Sequence, residues 1–280
     1  MNIVTTVSEM RSLIGSLRRE GKTIGFVPTM GFLHDGHLSL MRAARAQNDV
    51  VAASIFVNPT QFGPNEDLAR YPRDAEGDRR KCEAARVDVL FLPAAPDMYP
   101  GGPPVVVTVE GISDILEGAV RPGHFRGVAT VVAKLFHIVQ PKRAYFGQKD
   151  YQQCAVIKRM VAGLDLDVEV IVLPTVREPD GLAMSSRNVY LDPDRRRKAA
   201  SLYRALRAGE ELVRAGVPEP EKVRRKMRAV LLAEQGVEID YAEVADPDTL
   251  APLERMQDRV VLLVAARLGS TRLIDNLLVL

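Results

Sequence analysis

Two of the chain's four histidines stand three residues apart in the stretch FVPTMGFLHDGHLSLMRAA, which begins at Phe26. A short apolar run precedes His34 and His37 and an amphipathic run follows them, so the pair occupies a predicted strand-to-helix turn. Backbone N–H groups at a helix N-terminus bind phosphate, and Gly31 and Gly36 let the chain pass close to an anion. The pattern is typical of an anion-binding turn, but a polar turn without a ligand and half of a zinc site share its spacing.

The rest of the chain disfavours a zinc site, and it argues against a protein that binds nucleic acid or membranes or is secreted. Cys82 and Cys154 fit no metal or redox spacing, and we expect two reduced, buried thiols. The 280 residues contain 38 basic and 36 acidic side chains, a balance that predicts no general attraction to nucleic acid or membranes. The N-terminal sequence lacks a secretory pattern and no long uncharged apolar stretch occurs, so we predict a cytoplasmic protein without membrane spans.

Apolar runs of strand length alternate with segments of helical period in the first part of the chain. The predicted strands are 23–28, 50–57, 87–92, 144–146 and 168–172. The clearest predicted helix is 127–139, where apolar residues recur every three or four positions before Pro141. This alternation predicts an α/β fold with a Rossmann-like, doubly wound parallel sheet, in which 23–28 is the first strand and the first helix begins near His37. Such sheets bind ligands at the carboxyl ends of their strands, where the histidine turn is placed.

The pattern changes after Pro174. Two charged helices are predicted within 192–216 and 219–236, and three strands within 237–247, 258–269 and 271–280. We therefore predict a smaller C-terminal α+β domain over 176–280, following the Rossmann-like domain over 1–175.

The motif HDGH matches the HxGH signature of a nucleotidyltransferase superfamily, and the longer opening stretch resembles the pantothenate synthetase family. Five further blocks resemble that family in the same order: SIFVNPTQFGPNEDLARYPR, RPGHFRGVATVVAKLFHIVQP, YFGQKDYQQ, MSSRNVYL and ARLGSTRLIDN. The resemblance implies ATP-dependent condensation of pantoate with beta-alanine, through a pantoyl adenylate, to give pantothenate for coenzyme A biosynthesis. In such a reaction negative charge grows on phosphate oxygens, so preorganised donors and cations matter more than a nucleophile.

The resemblance also assigns roles to residues. His34, His37 and Lys149 are the catalytic candidates. The candidate ATP-binding residues are Met30, His34, His37, Gly147, Lys149, Asp150, Met184, Ser185, Ser186 and Arg187. The candidate pantoate-binding residues are Pro28, Met30, Gln61 and Gln153, and further residues expected to line the site are Asn58, Phe62, Tyr71 and Arg121. His124 is expected to be structural, and His137 to serve packing.

The family implies Mg²⁺ bound with ATP, for which no protein ligand is predicted, and a homodimer whose C-terminal domain acts as a lid. Three alternatives remain open. A related nucleotidyltransferase acting on another small acid or a phosphorylated acceptor would share the HxGH turn. An aminoacyl-tRNA synthetase fragment would be expected to carry a large basic surface, which the charge balance disfavours. A nucleotide-binding regulatory module would be expected to have lost Lys149 or the serine segment, and this chain has both.

Overall fold

The computed structural model describes residues 1–64, 66–102 and 105–280, and these form two compact units. Unit 1 comprises Met1–Gly147 and Gln153–Pro174, and unit 2 comprises Gln148–Gln152 and Thr175–Leu280. The short segment Gln148–Gln152 thus belongs to unit 2, although the chain on both sides of it belongs to unit 1. A C-terminal lid beginning at residue 176 stays a prediction.

Unit 1 is built on a parallel sheet. Across the described residues, six strands have the order β1 (Asn2–Val4), β4 (Val89–Phe91), β3 (Val50–Ile55), β2 (Ile24–Thr29), β5 (Arg143–Gly147) and β6 (Glu169–Leu173). The helices between the strands are α1 (Val7–Arg19), α2 (Asp35–Gln47), α3 (Ala75–Ala84), α4 (Ala95–Met98), α5 (Glu117–Val120), α6 (His124–Val139) and α7 (Tyr151–Gly163). Every paired strand is parallel, which confirms the predicted Rossmann-like sheet.

The topology locates the crevice where this fold binds ligands. From β2 the chain proceeds outward through β3 and β4 on one side, and then returns to β5 and β6 on the other. Phe26 of β2 accordingly pairs with Ala52 of β3 and with Ala144 of β5. Such a reversal opens a crevice beyond the carboxyl ends of the two central strands. The histidine turn follows β2 at this edge, and β5 ends there at Gly147.

The predicted strands are all present with small shifts, but β2 is not the first strand. β1 and α1 precede it. β1 was not predicted because Ile3 and Val4 are its only apolar residues, too short a run to show a strand pattern. The predicted helix 127–139 is present as α6, whose apolar stripe is buried. The expectation that His137 serves packing is wrong. It lies one turn after the partly exposed Lys134, on the outer face of α6, and its side chain is exposed while Nδ1 lies 2.7 Å from the carbonyl oxygen of Ala133.

Both cysteines are free and buried, as predicted. Burial raises the pKa of Cys82 to about 12, so this thiol stays protonated at neutral pH. None of the helices in the described ranges is long and apolar enough to cross a lipid bilayer.

Unit 2 packs helices against an antiparallel sheet. Its described elements are α8 (Pro193–Ala199), α9 (Ser201–Arg214), α10 (Pro220–Leu232), β7 (Val237–Ala245), β8 (Val260–Leu268) and β9 (Thr271–Val279). The three strands predicted from the sequence are present, and they lie in the order β7-β8-β9. The segment 192–216, predicted as one helix, is two helices that meet at Ala200. Leu202, Leu206, Met227 and Leu262 are fully buried members of the unit 2 core, which gives the smaller unit an apolar interior of its own.

Candidate active site

The two histidines cap the N-terminus of α2. His34 is the N-cap residue, and its Nδ1 accepts a hydrogen bond from the Gly36 N–H at 3.2 Å. His37 Nδ1 accepts in turn from the His34 N–H at 3.3 Å. The ring centroids lie 4.1 Å apart. This reciprocal arrangement satisfies backbone donors that the first turn of a helix leaves unpaired, and it fixes both rings at the helix N-terminus.

The same hydrogen bonds assign the tautomer of each ring. A ring nitrogen that accepts a backbone N–H carries no proton, so a neutral His34 or His37 holds its proton on Nε2. Each imidazole can therefore donate from Nε2 to an oxygen of a bound anion. The positive end of the α2 dipole favours negative charge at the same point.

Two glycines allow the turn to approach this closely. A Cβ on Gly36 would lie 2.9 Å from Cε1 and Nδ1 of His34, so only glycine leaves room for the capping ring. Gly31 has a φ of +85°, and a Cβ there would lie 2.8 Å from Cγ2 of Ile55. Gly36, the central residue of the HxGH motif, is thus required because the ring of His34 occupies the space that a Cβ would need.

Asp78 and Lys81 of α3 hold the preceding residues, and sequence analysis missed them. The Asp78 carboxylate accepts hydrogen bonds from the N–H groups of Phe32 and Leu33, each at 2.7 Å, and Asp78 is only 2% exposed. Lys81 Nζ donates to the carbonyl oxygen of Leu33 at 2.7 Å. In sequence these two residues belong to the charged run EGDRRKCEA, which resembles a solvated helix face, so no local signal marks them.

A second cluster in unit 1 surrounds Gln61. Asn58 is 1% exposed, and its Nδ2 donates to Gln61 Oε1 at 3.1 Å and to the Gly127 carbonyl oxygen at 3.2 Å. Because Asn58 occupies Oε1, the Gln61 amide is oriented with Nε2 toward Met30, whose sulfur lies 3.2 Å away. The structure thus brings Met30, Asn58 and Gln61 together, three of the residues assigned from the family resemblance.

The backbone of Gln61 is held from α6. His124 Nδ1 lies 2.9 Å from the Gln61 carbonyl oxygen, and Arg121 Nη1 lies 3.1 Å from His124 Nε2. Burial, followed by the neighbouring Arg121 charge, lowers the pKa of His124 to about 4. The ring is therefore neutral at pH 7, with Nδ1 donating to Gln61 and Nε2 accepting from Arg121. Arg121 also pairs with Glu66, to which its Nε donates at 2.8 Å.

Gly127 is a further residue that sequence analysis did not assign. A Cβ at this position would lie 2.4 Å from the Thr60 carbonyl oxygen, so glycine permits α6 to pack directly on the 3-10 helix Pro59–Gln61. Its only sequence signal is a glycine inside a helical pattern, a feature that usually has a packing reason.

The remaining unit 1 candidates occupy different settings. Tyr71 is buried and packs edge-on against Phe62, with the ring centroids 5.9 Å apart. Pro28 lies on β2 opposite Ser54, and Gly147 is the last residue of β5. Gln153 is partly exposed on α7.

The other candidates lie in unit 2. Lys149 and Asp150 belong to the 3-10 helix Gln148–Asp150, where Lys149 Nζ lies 3.6 Å from Asp150 Oδ1. Ser185 caps the 3-10 helix Ser186–Tyr190, and its Oγ accepts a hydrogen bond from the Arg187 N–H at 3.2 Å. Met184 donates its N–H to the Val176 carbonyl oxygen at 3.0 Å. The serine segment is therefore a compact capped turn.

Comparison with known proteins identifies the family. The model of the pantoate-beta-alanine ligase family matches residues 2–278. The chain belongs to this family. The pantothenate synthetase of Moorella thermoacetica is 58% identical over 276 residues, covering 99% of this chain and 98% of that protein. The pantothenate synthetase of Thermotoga petrophila is 55% identical over 276 residues, covering 99% of each chain.

Solved structures of pantoate-beta-alanine ligases share the fold over nearly the whole chain. The pantothenate synthetase of Thermus thermophilus superposes with a TM-score of 0.94 at 52% identity, covering 99% of each chain. The ligase of Francisella tularensis, described as complexed with beta-gamma ATP and beta-alanine, has a TM-score of 0.82 at 38% identity, covering 99% of this chain and 97% of that one. The family assignment and the fold class predicted from the sequence are both confirmed.

Proposed function

We propose that the protein condenses pantoate with beta-alanine at the expense of ATP, giving pantothenate, AMP and pyrophosphate. Membership of the pantoate-beta-alanine ligase family over nearly the full length supports this reaction. The observation that carries the proposal is the pair of imidazoles at the α2 N-terminus, whose Nδ1 atoms are both occupied by backbone donors so that Nε2–H can meet phosphate oxygens.

The chemistry proceeds in two steps. A pantoate carboxylate oxygen attacks the α-phosphorus of ATP, and the bond from that phosphorus to the bridging oxygen breaks, releasing pyrophosphate and leaving pantoyl adenylate. The neutral amine of beta-alanine then attacks the activated carbonyl carbon, AMP departs with the former carboxylate oxygen, and the new amide nitrogen loses a proton.

The proposed roles follow from where charge develops. His34 and His37 donate to the phosphates, and His34 is the stronger candidate for stabilising the transition state. Lys149 supplies a compact positive charge to the reacting phosphoryl and carboxylate groups. Ser185, Ser186 and Arg187 hold the β- and γ-phosphates and then the departing pyrophosphate. The remaining candidates for nucleotide contact are Met30, Gly147, Asp150 and Met184.

Pantoate carries two hydroxyls and a carboxylate on a branched carbon skeleton. We assign Gln61 and Gln153 to these polar groups, because each carboxamide offers both a donor and an acceptor. The support for Gln61 is its fixed orientation, with Oε1 bonded to Asn58 and Nε2 directed toward the sulfur of Met30, another candidate pantoate-binding residue. Pro28 and Met30 provide apolar surface for the methyl groups.

Magnesium is expected to enter with ATP. The described residues contain no cluster of three His, Cys, Asp or Glu side chains that could hold a metal. We expect the ion to be bound mainly by phosphate oxygens and water. When bound, Mg²⁺ would neutralise part of the triphosphate charge. No protein ligand is assigned to it.

Three further properties belong to the proposal. The protein works in the cytoplasm, its C-terminal domain is a lid that excludes water from the adenylate, and it forms a homodimer. The edge strand β6 supports the last point, because its residues Val170, Ile171 and Val172 are apolar and only partly buried. Sedimentation velocity tests the dimer, and a monomer at all concentrations up to about 100 µM, well above ordinary dimer dissociation constants, would contradict it.

An isotope-transfer assay tests the proposed reaction. Pantoate labelled with heavy oxygen in its carboxylate is incubated with ATP, beta-alanine and the protein, and the products are analysed by mass spectrometry. We expect one labelled oxygen in AMP for each pantothenate formed. Pantothenate formed without label in AMP would contradict the adenylate, and label transfer from another acid, but not from pantoate, would favour a related nucleotidyltransferase.

A further inference from the structure

The C-terminal block ARLGSTRLIDN contains two buried polar residues to which the proposed reaction assigns no part. Asp275 and Asn276 lie side by side on β9 and are only 3% and 2% exposed. Buried carboxylates and carboxamides destabilise a fold unless their hydrogen bonds are satisfied. The partners of these two side chains, all within unit 2, therefore indicate what they are for.

Asn276 binds the turn that carries Lys149. Its Nδ2 donates to the carbonyl oxygens of Gln148 and of Lys149, each at 2.9 Å. Its Oδ1 lies 3.3 Å from Nε2 of Gln148. The two carbonyl groups belong to the peptide units immediately before and after the Cα of Lys149. Clamping both units fixes φ and ψ of Lys149, and with them the direction in which its side chain leaves the backbone.

Asp275 links the same strand to the serine segment. The Arg177 guanidinium forms a two-pronged pair with Asp275, from Nη1 to Oδ2 at 2.6 Å and from Nη2 to Oδ1 at 3.0 Å. Arg177 also stacks on Tyr203, with 4.1 Å from Cζ to the ring centroid, and pairs through its backbone with Ala183. Ala183 immediately precedes Met184 and the capped turn at Ser185, so one dipeptide of β9 holds both phosphate-binding segments of unit 2.

We propose that Asn276 is a positioning residue for Lys149, and that the Arg177–Asp275 pair keeps the Lys149 turn and the Ser185–Arg187 turn in fixed register. This proposal rests on the proposed function, because it is in that reaction that Lys149 meets the reacting groups. A displacement of about 1 Å at a reacting centre lowers a rate by about 100-fold, so loss of the clamp weakens catalysis even when the fold survives.

Kinetics of Asn276→Ala and of the milder Asn276→Ser test the positioning role. The matched control is Asp240→Asn on β7, which disrupts the pairing of Asp240 with Arg272 and Arg267 in the same sheet. We expect kcat for pantoate-dependent ATP–pyrophosphate exchange to fall about 10- to 100-fold in both Asn276 variants, with each KM changed less than about threefold. Asp240→Asn should keep kcat within about twofold of the wild type.

A double-mutant cycle distinguishes positioning of Lys149 from a general structural role. If Asn276 acts through Lys149, adding Asn276→Ala to Lys149→Ala should lower the residual kcat by less than about threefold. A further loss as large as that of the single variant would overturn the proposal. An Asn276→Ala or Asn276→Ser protein that is folded and has wild-type kcat would do the same.

A measurement without substrates separates this proposal from the reaction itself. Lysines are labelled by isotopic reductive methylation, and the NMR signal of Lys149 is assigned by its loss in Lys149→Arg. We expect Asn276→Ser to move this signal toward that of exposed lysines such as Lys226, whereas Asp240→Asn leaves it in place. An unmoved signal would overturn the positioning role. If the signal moves in Asn276→Ser but the wild-type protein shows no pantoate-dependent exchange, Asn276 remains the positioning residue and the proposed function is rejected.

Discussion

Gln61 owes its orientation to side chains that lie behind it. Asn58 binds its carboxamide oxygen, and His124 binds its backbone carbonyl oxygen. Sequence analysis assigned Gln61 from the family resemblance, yet the reason for its fixed geometry lies in residues far along the chain. Glutamine between Thr60 and Phe62 would by itself indicate only a polar turn.

Replacing Gln61 with Ala should raise the KM for pantoate at least about 10-fold, because a site built to hydrogen-bond a hydroxyl loses that contact. The dissociation constant for ATP, measured by calorimetry, should change less than about twofold, since Gln61 is not assigned to the nucleotide. Gln257 is exposed, so Gln257→Ala is the matched control. It should leave the pantoate KM and the ATP dissociation constant unchanged. An unchanged pantoate KM combined with weakened ATP binding would reject the assignment.

His124 makes the free energy of unfolding depend on pH, and the direction of this dependence follows from its lowered pKa. Its pKa is lowered from 6.5 to about 4 in the folded state, so between these values the unfolded chain binds more protons than the folded one. The contribution to the free energy of unfolding is complete above pH 6.5 and is lost as the pH falls toward 4.

His124→Asn should flatten the pH dependence of stability between about pH 6.5 and 4, because asparagine keeps a donor for Gln61 but does not titrate. At pH 7 the variant should be less stable by about 1 kcal/mol through loss of the Arg121 contact. Urea unfolding at a series of pH values measures both effects, and His137→Asn on the exposed face of α6 is the control. Equal pH slopes for His124→Asn and the wild type would show that His124 titrates normally in the folded protein.

At the scale of elements, the N-terminus of α2 depends on glycine at the centre of HxGH. The ring of His34 occupies the place of a Gly36 Cβ, so the cap that orients the two imidazoles forms only with glycine there. Gly15 in α1 offers a matched comparison, because its Cβ would meet nothing closer than 3.6 Å.

Gly36→Ala should displace the His34 ring and lower kcat for adenylate formation about 100-fold, the effect of losing one well-placed donor to a developing charge. Gly15→Ala should leave kcat unchanged and stabilise the protein by about 0.5–1 kcal/mol, since alanine is the better helix former. Single-turnover kinetics and thermal unfolding measure the two effects. Wild-type kcat in Gly36→Ala would contradict the role given to the capped histidines.

Elements with a strong repeating pattern were predictable from sequence, and long-range contacts were not. Five strands of unit 1 and α6 follow from their apolar runs, whereas β1 contains only two adjacent apolar residues, Ile3 and Val4. Asp78 lies 44 residues beyond His34 in sequence, within a charged helix, and only folding shows that its carboxylate binds the turn. Asn276 was included in a block that resembles the family, but its pairing with the Lys149 backbone depends on the register of β9.

At the scale of the whole molecule, the grouping of Gln148–Gln152 with unit 2 places Lys149 and the Ser185–Arg187 turn in one compact body. If this body is the predicted lid, the two segments proposed to bind phosphate move together. We expect the radius of gyration from solution scattering to fall when a non-hydrolysable ATP analogue and pantoate are added, because lid closure excludes water from the reactive anhydride. Superimposable profiles with and without ligands would count against a large closure.

The central claim, adenylate formation on pantoate, is tested most directly by ATP–pyrophosphate exchange in the absence of beta-alanine. Labelled pyrophosphate is incubated with ATP and the purified protein, with and without pantoate, and incorporation of label into ATP is followed. The account predicts exchange that requires pantoate and that falls sharply, to a low residual rate, in Lys149→Ala while that variant remains folded. Exchange that is independent of pantoate, or that persists at the wild-type rate in Lys149→Ala, would contradict it.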